Sequence, residues 1–408
     1  MPIDAGRLRK SMEEMARIGA TAGGGVHRPT LSDADKEARD LFAAWAGEAG
    51  LALTVDEMGN MFARRAGTDE SAPPVIAGSH LDTVPNGGRF DGSLGVLSAL
   101  EAVRSMNDAG AATRRPVEIV NWTNEEGPRF PPAMLGSAVF AGVYEPAWAY
   151  AIEDAEGKRF GEELERIGYR GEAPCRARPL AAYLELHIEQ GPVLIGEGIE
   201  VGAVEGIYGM HWLRFTMKGE RDHAGPTPMS MRRDALVGAA RTIAAIREIP
   251  STLHPDFVAT VGEMSVSPNA INVIPDRVTF SVDFRHSDEA LIEEARRRIL
   301  EVGEAMARWE GLEFESEHIM NSPLIPFDPE AVGAVEKACG EAGFTHRRMW
   351  SAAGHDARYA AEVCPTAMIF VPSVGGKSHT EEELTRWEDA ARGAEVLVRA
   401  ILDLANRP

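Results

Sequence analysis

The chain of 408 residues is 44% hydrophobic and 26% charged, and 42 Lys plus Arg against 63 Asp plus Glu leave a formal charge of -21. That length exceeds what one core ordinarily serves, so two domains are expected, and the acidity argues against nucleic acid or an anionic membrane as partner. No apolar run approaches the roughly 18 residues of a spanning helix.

The start, MPIDAGRLRKSMEEM, is charged and helix-like and lacks the apolar core of a secretory signal. Cys175, Cys339 and Cys364 are widely spaced and odd in number, which fits neither a disulfide framework nor a cysteine-rich zinc site. A reducing, cytoplasmic setting is expected. A helix over LSDADKEARDLFAAWAGEAG follows, with Ser32 as its N-cap and Gly50 to stop it, and then a short strand. From there the pattern is strand, loop, helix, strand: PVIAG at 74–78, GSLGVLSALEAVRSM at 92–106 and PVEIVNW at 116–122. In α/β sheets ligands sit outside the carboxyl ends of the strands, which is where His80 and Glu125 fall.

After about residue 210 the grammar changes. HWLRFTMKG alternates as a strand, 233–249 reads as an amphipathic helix, FVATVGEMSV and RVTFSVDFRH alternate again, and 288–311 is a second helix before the strand-like LEFESEH. This order predicts a four-stranded sheet with two helices on one face, inserted as residues 213–327 between the two parts, 1–212 and 328–408, of an α/β domain. The tail resumes α/β grammar with a helix at AVGAVEKACGEAG, a buried strand at PTAMIFVP and a closing helix over EELTRWEDAARGAEVLVRAILDLA.

The polar segments at strand ends carry the chemistry. GSHLDT supplies His80 and Asp82, FDG supplies Asp91, NWTNEEG supplies Glu125 and Glu126, LELHIEQG supplies His187 and Glu189, and GGKSHTEEE supplies His379. Imidazole and carboxylate together, with no cysteine nearby, suit Zn, Mn, Co or Ni. A pair of cations about 3.5 to 4 Å apart is served if Asp91 bridges, His80 and Glu126 hold the outer sides, and His187 and His379 complete the set. Adjacent residues point differently, so Glu125 is free to act as a base, and Asp82 is expected to hold the second nitrogen of His80. The run EEE at 381–383 reads as a solvated face. GGKSHT is no phosphate loop, because the glycine a Walker A motif requires is replaced by Val371. RDHAGPTPM places His223 directly after a strand of the inserted domain, either as a turn histidine or as an oxyanion donor, and SAAGHDARY puts His355 after Gly354 in a loop.

Taken together, GSHLDT, GGRFDGSLGV, NWTNEEGPRFPPAMLGS, ELHIEQGPVL, RDHAGPTPM, GHDA and GGKSHTEEE resemble the amidase/carbamoylase branch of the M20 metallopeptidase family over about residues 5 to 405. That branch includes N-carbamoyl-L-amino acid amidohydrolases, bacterial β-ureidopropionases and allantoate amidohydrolases. The resemblance implies an α/β, di-metal aminopeptidase-like catalytic domain interrupted by an α+β lid that also makes a homodimer. It implies two divalent metal ions on His80, Asp91, Glu126, His187 and His379, with Asp91 bridging and Glu125 as general base. It further implies substrate contacts from Gln190, His223, Asn272, Arg285, Gly354 and His355, with Arg285 gripping a carboxylate and His223 entering the partner subunit's site. The implied substrate is a small anionic ureido compound, an N-carbamoyl-L-amino acid or N-carbamoyl-β-alanine. Allantoate is the alternative, a dipeptide a weaker one, and a metal-dependent binding module the rival from another class.

Overall fold

The computed structural model describes residues 1–408, and the chain divides into two compact units, Met1–Gly206 with Pro326–Pro408 and Ile207–Ile325. The first is built on a nine-stranded mixed sheet in which Ala52–Val55, Met61–Arg65, Val117–Trp122, Val75–His80, Ala182–Ile188, Thr366–Val371 and Val201–Ile207 lie side by side in that order. Val75–His80 runs parallel to both Val117–Trp122 and Ala182–Ile188, and Thr366–Val371 runs parallel to Ala182–Ile188. These four strands are buried along their whole length, as expected of parallel strands covered on both faces.

Helix Ser93–Asp108, almost wholly buried, packs on the strand that ends in His80, and Trp387–Ala405 packs on Thr366–Val371. Ser32 caps Asp33–Glu48 by accepting from the Asp35 amide, and Gly50 takes a positive φ just past that helix's end. The closing helix starts at Trp387, later than the apolar period predicts. Tertiary bonds claim the residues before it: Val374 N–H donates to the Leu384 carbonyl at 2.7 Å, and the Thr385 hydroxyl donates to the Pro372 carbonyl at 3.1 Å.

The second unit carries a sheet centred on Arg277–His286, flanked by Gly209–Lys218 and then Glu313–Ser322. On its other side FVATVGEMSV breaks into Val258–Thr260 and Met264–Ser267, which pair with successive parts of the same neighbour, so four strand positions hold five strands. Helices Ala235–Leu253 and Glu289–Glu310 are capped by Asp234 and Asp288. They enclose a core that includes Phe215, Met217, Phe280, Val282, Phe284, Ile292 and Ile299. No helix in the chain is long and apolar enough to cross a membrane.

Candidate metal centre

The parallel register brings the chemistry to one edge. His80 ends its strand opposite Trp122, three residues before Glu125, and His187 is the penultimate residue of the next strand over. Asp91 arrives on the loop that enters helix Ser93–Asp108, and His379 on the loop before Trp387–Ala405. Gly92 makes the first approach possible: its φ is +60°, and a Cβ there would lie only 2.3 Å from Cε1 of the His80 imidazole.

Asp91 lies at the centre, 4% exposed. Its Oδ1 is 3.1 Å from His187 Nε2 and 3.4 Å from His80 Nε2, while its Oδ2 is 3.5 Å from His379 Nε2. Glu126 Oε2 is 3.5 Å from the same His379 nitrogen. One carboxylate thus faces two donor groups, His80 with His187 and Glu126 with His379, and the potential ligand atoms of each group lie within 4.8 Å of one another.

The ring orientations test whether cations fit. His80 Nδ1 is 2.9 Å from the Asp82 backbone carbonyl and His187 Nδ1 is 2.9 Å from the Ile188 carbonyl. A carbonyl can only accept, so each Nδ1 carries a proton and each ring turns its Nε2 toward Asp91. Imidazoles fixed through Nδ1 and buried carboxylates, with the ligand atoms of each group within 4.8 Å of one another around Asp91, form a donor set that fits divalent metal. The salt bridges of Asp91, Glu125 and Glu126 all run to histidines, none to lysine or arginine. Burial, relieved in part by His80, and repulsion from Asp356, Glu126 and Asp91 push the Glu125 carboxyl well above the carboxylate range. Glu126 is raised by burial and by Asp91. Although burial opposes it, His187 and His80 hold Asp91 well below that range.

Asp82 differs from expectation. His80 bonds its backbone carbonyl, and the Asp82 carboxylate, 3.9 Å from that nitrogen, instead accepts the Thr30 hydroxyl at 2.6 Å and the Glu125 and Glu126 amides at 3.3 Å each. It fixes the backbone of the glutamate pair. Glu125 Oε2 stands 3.5 Å from His80 Nε2, beside the two donor groups.

Residues 76–403 match the model of peptidase family M20/M25/M40. The chain belongs to that family. It is 48% identical to an N-carbamoyl-L-amino-acid amidohydrolase of Rhizobium meliloti over 99% of this chain and 97% of that one. It is 34% identical to an allantoate amidohydrolase of Escherichia coli, with 98% of each chain covered. Among solved structures, an amidase of the hydantoinase/carbamoylase family from Burkholderia multivorans superposes with a TM-score of 0.97 at 50% identity, covering 100% of this chain and 99% of that one.

Around this M20 centre, Gln190 donates from Nε2 to Asp91 Oδ2 at 2.8 Å, held in a left-handed conformation at φ +60°, while its buried Oε1 has no partner. His355 is buried rather than open: it lies edge-on to His187 at 4.5 Å between ring centroids and 3.0 Å from the Ser351 hydroxyl. Burial and the neighbouring His187 hold it neutral. Gly354, beside it, is exposed.

The second unit carries His223, Asn272 and Arg285. His223 pairs in register with Val273, and the Ala224 amide donates to the Asn272 carbonyl at 3.0 Å, so His223 and Asn272 share one short ribbon. The Gly225 amide donates to His223 Nδ1 at 3.0 Å, which leaves Nε2 as the proton-bearing nitrogen. That ribbon leaves the sheet at the Lys218/Arg277 end, whereas Arg285 stands opposite Met210, roughly 26 Å further along the strand at about 3.3 Å per residue. Arg285 is half-buried and paired with Asp283 at 2.6 Å.

Three polar residues at the site escaped the sequence reading. Glu185 accepts from the Ser79 and Tyr183 hydroxyls and the Ala357 amide, and Asp356 accepts from the Ser137 hydroxyl. A carboxylate inside the otherwise apolar YLELHI was the available signal for Glu185. Glu383, expected on a solvated face, is only 4% exposed and bonds the Asp91 loop.

Proposed function

We propose that this M20 protein is a metal-dependent amidohydrolase that cleaves the carbamoyl C–N bond of N-carbamoyl-L-amino acids or N-carbamoyl-β-alanine, releasing the amino acid, ammonia and carbon dioxide. The observation that carries the chemistry is the Asp91 carboxylate facing two imidazole-containing donor groups, with Glu125 alongside and free of a salt bridge to any lysine or arginine. The substrate class rests on the 48% identity, across nearly the whole chain, to the Rhizobium meliloti enzyme.

His80, His187 and Asp91 Oδ1 would hold one divalent cation and Glu126, His379 and Asp91 Oδ2 a second, of Zn, Mn, Co or Ni. When bound, such ions polarise a carbonyl and lower the pKa of water. Glu125 accepts the proton of the attacking water and then donates it to the leaving amine nitrogen. Gln190 and the Asp82 clamp keep Asp91 and the glutamate pair aimed. Arg285 grips the substrate carboxylate through two parallel bonds, and His223 Nε2–H donates to the oxyanion as the carbonyl carbon becomes tetrahedral. The bond to the amino nitrogen breaks, and the carbamate released decays to ammonia and carbon dioxide.

One lid sheet with Arg285 and the His223–Asn272 ribbon at opposite ends does not clasp a small substrate from both sides. This supports a homodimer in which His223 and Asn272 serve the partner's site. The test is ammonia release by the metal-reconstituted chain from N-carbamoyl-L-amino acids, N-carbamoyl-β-alanine, allantoate and dipeptides. Turnover of allantoate or of dipeptides alone would overturn the substrate assignment.

A further inference from the structure

Glu383 lies on the loop that carries His379, yet its side chain is spent on the loop that carries Asp91. Its Oε1 accepts the Phe90 and Asp91 amides, both at 3.1 Å, and its Oε2 accepts the Ser378 hydroxyl at 2.9 Å. The Ser378 oxygen is itself 3.3 Å from Asp91 Oδ2, the oxygen that faces His379. The surrounding chain is shaped to this arrangement: a Cβ at Gly88 would come within 2.0 Å of the Glu383 carboxyl carbon, and Phe90 packs on Trp387 at 5.2 Å between centroids. One buried carboxylate therefore ties the backbone of the central ligand to the residue preceding His379, joining segments nearly 300 positions apart in sequence.

We infer that Glu383 is a positioning residue that sets the spacing between Asp91 and His379, and so governs the affinity of the cation site formed by Asp91 Oδ2, Glu126 and His379. This rests on the metal-binding reading given above. It acts through ligands it does not touch at their donor atoms: two amides fix where the Asp91 backbone sits, and Ser378 carries the constraint to both Asp91 Oδ2 and the adjacent His379. Outer partners of this kind typically govern 10- to 100-fold in metal affinity. The site of His80 and His187 is held by separate backbone carbonyls and shares only Asp91 Oδ1, so the effect falls mainly on one of the two ions.

The experiment titrates Mn(II) alone into the chelator-stripped full-length chain, with free Mn(II) read by electron paramagnetic resonance and folding by circular dichroism. The wild type binds two ions. Glu383→Ala weakens the second by roughly 10- to 100-fold while the first stays within about threefold. Glu383→Gln, whose carbonyl oxygen still accepts both amides, recovers most of the loss, and Glu382→Gln at the exposed neighbour changes nothing. A folded Glu383→Ala chain that binds both ions as the wild type does overturns the inference. If that variant does not fold, Ser378→Ala reads the same linkage without emptying the Glu383 position, and unchanged binding of both ions there overturns it equally. A wild type that binds no Mn(II) overturns the metal reading itself, an outcome distinct from two ions bound with no effect of the substitutions.

Discussion

Asp82→Asn separates two ways in which that residue can serve the centre. If the carboxylate oriented His80, the substitution would disturb the His80–His187 pair. In the structure the His80 bond goes to the Asp82 backbone carbonyl, which asparagine keeps, and the carboxylate instead receives the Glu125 and Glu126 amides and the Thr30 hydroxyl. An amide side chain retains one acceptor oxygen, so in either orientation its NH2 meets one of the two backbone N–H groups. That leaves a buried donor unpaired in a residue 1% exposed, a cost of about 1–3 kcal/mol in stability. The glutamate pair loses its clamp, and kcat is expected to fall roughly 10- to 100-fold, the usual effect of removing such a support. Urea melts of the chelator-stripped chain read the first number. Steady-state ammonia release, with metal content measured alongside, reads the second. Wild-type stability together with wild-type turnover would refute the clamp. Loss of the ion on His80 and His187, with turnover restored by excess metal, would return the carboxylate to His80.

Glu125→Gln should lower kcat by about 10²- to 10⁴-fold while both metal ions are retained, since general acid–base catalysis is worth that much and the ligands are untouched; unimpaired turnover with full metal content removes Glu125 from the mechanism. Arg285→Ala should raise KM for carboxylated substrates far more than it lowers kcat, checked against an uncharged N-carbamoyl amine, on which an equal loss would count against carboxylate binding. Gly92→Ala should strip metal and destabilise the chain, because the new methyl overlaps the His80 ring at a φ of +60°, costing at least about 1–2 kcal/mol from the backbone alone. Metal analysis and thermal melts check it, and a stable, metal-replete variant would contradict it.

The centre was legible because its ligands cluster in short polar segments that end apolar runs, and the period-2 and 3.6 patterns place those runs as strands and helices. The inserted unit was legible from its strand and helix order. FVATVGEMSV alternates throughout, so its split into two strands around Val261–Glu263 left no mark in the periodicity. What stayed hidden depends on partners distant in sequence. Nothing in EEE distinguishes Glu383 from Glu382, and only the approach of Phe90 and Asp91 turns a nominal surface residue into a buried acceptor. The bonds of Leu384 to Val374 and of Thr385 to Pro372 likewise delay the closing helix to Trp387. Spacing shows that Asp82 lies near His80 and not which of its oxygens the ring meets, and the ring meets the backbone carbonyl rather than the carboxylate. His355, expected among the substrate contacts, lies edge-on against His187, a contact that its loop sequence does not show.

Metal-dependent hydrolysis of a carbamoyl amide at this site is tested by ammonia release from an N-carbamoyl-L-amino acid by the chelator-stripped chain, before and after two equivalents of Mn(II), Co(II), Ni(II) or Zn(II) are restored. The expected result is no turnover without metal, turnover that saturates at two ions per chain, and its loss in Glu125→Gln. Metal-independent hydrolysis, or a fully metal-loaded wild type that leaves every carbamoyl amino acid intact, would contradict it.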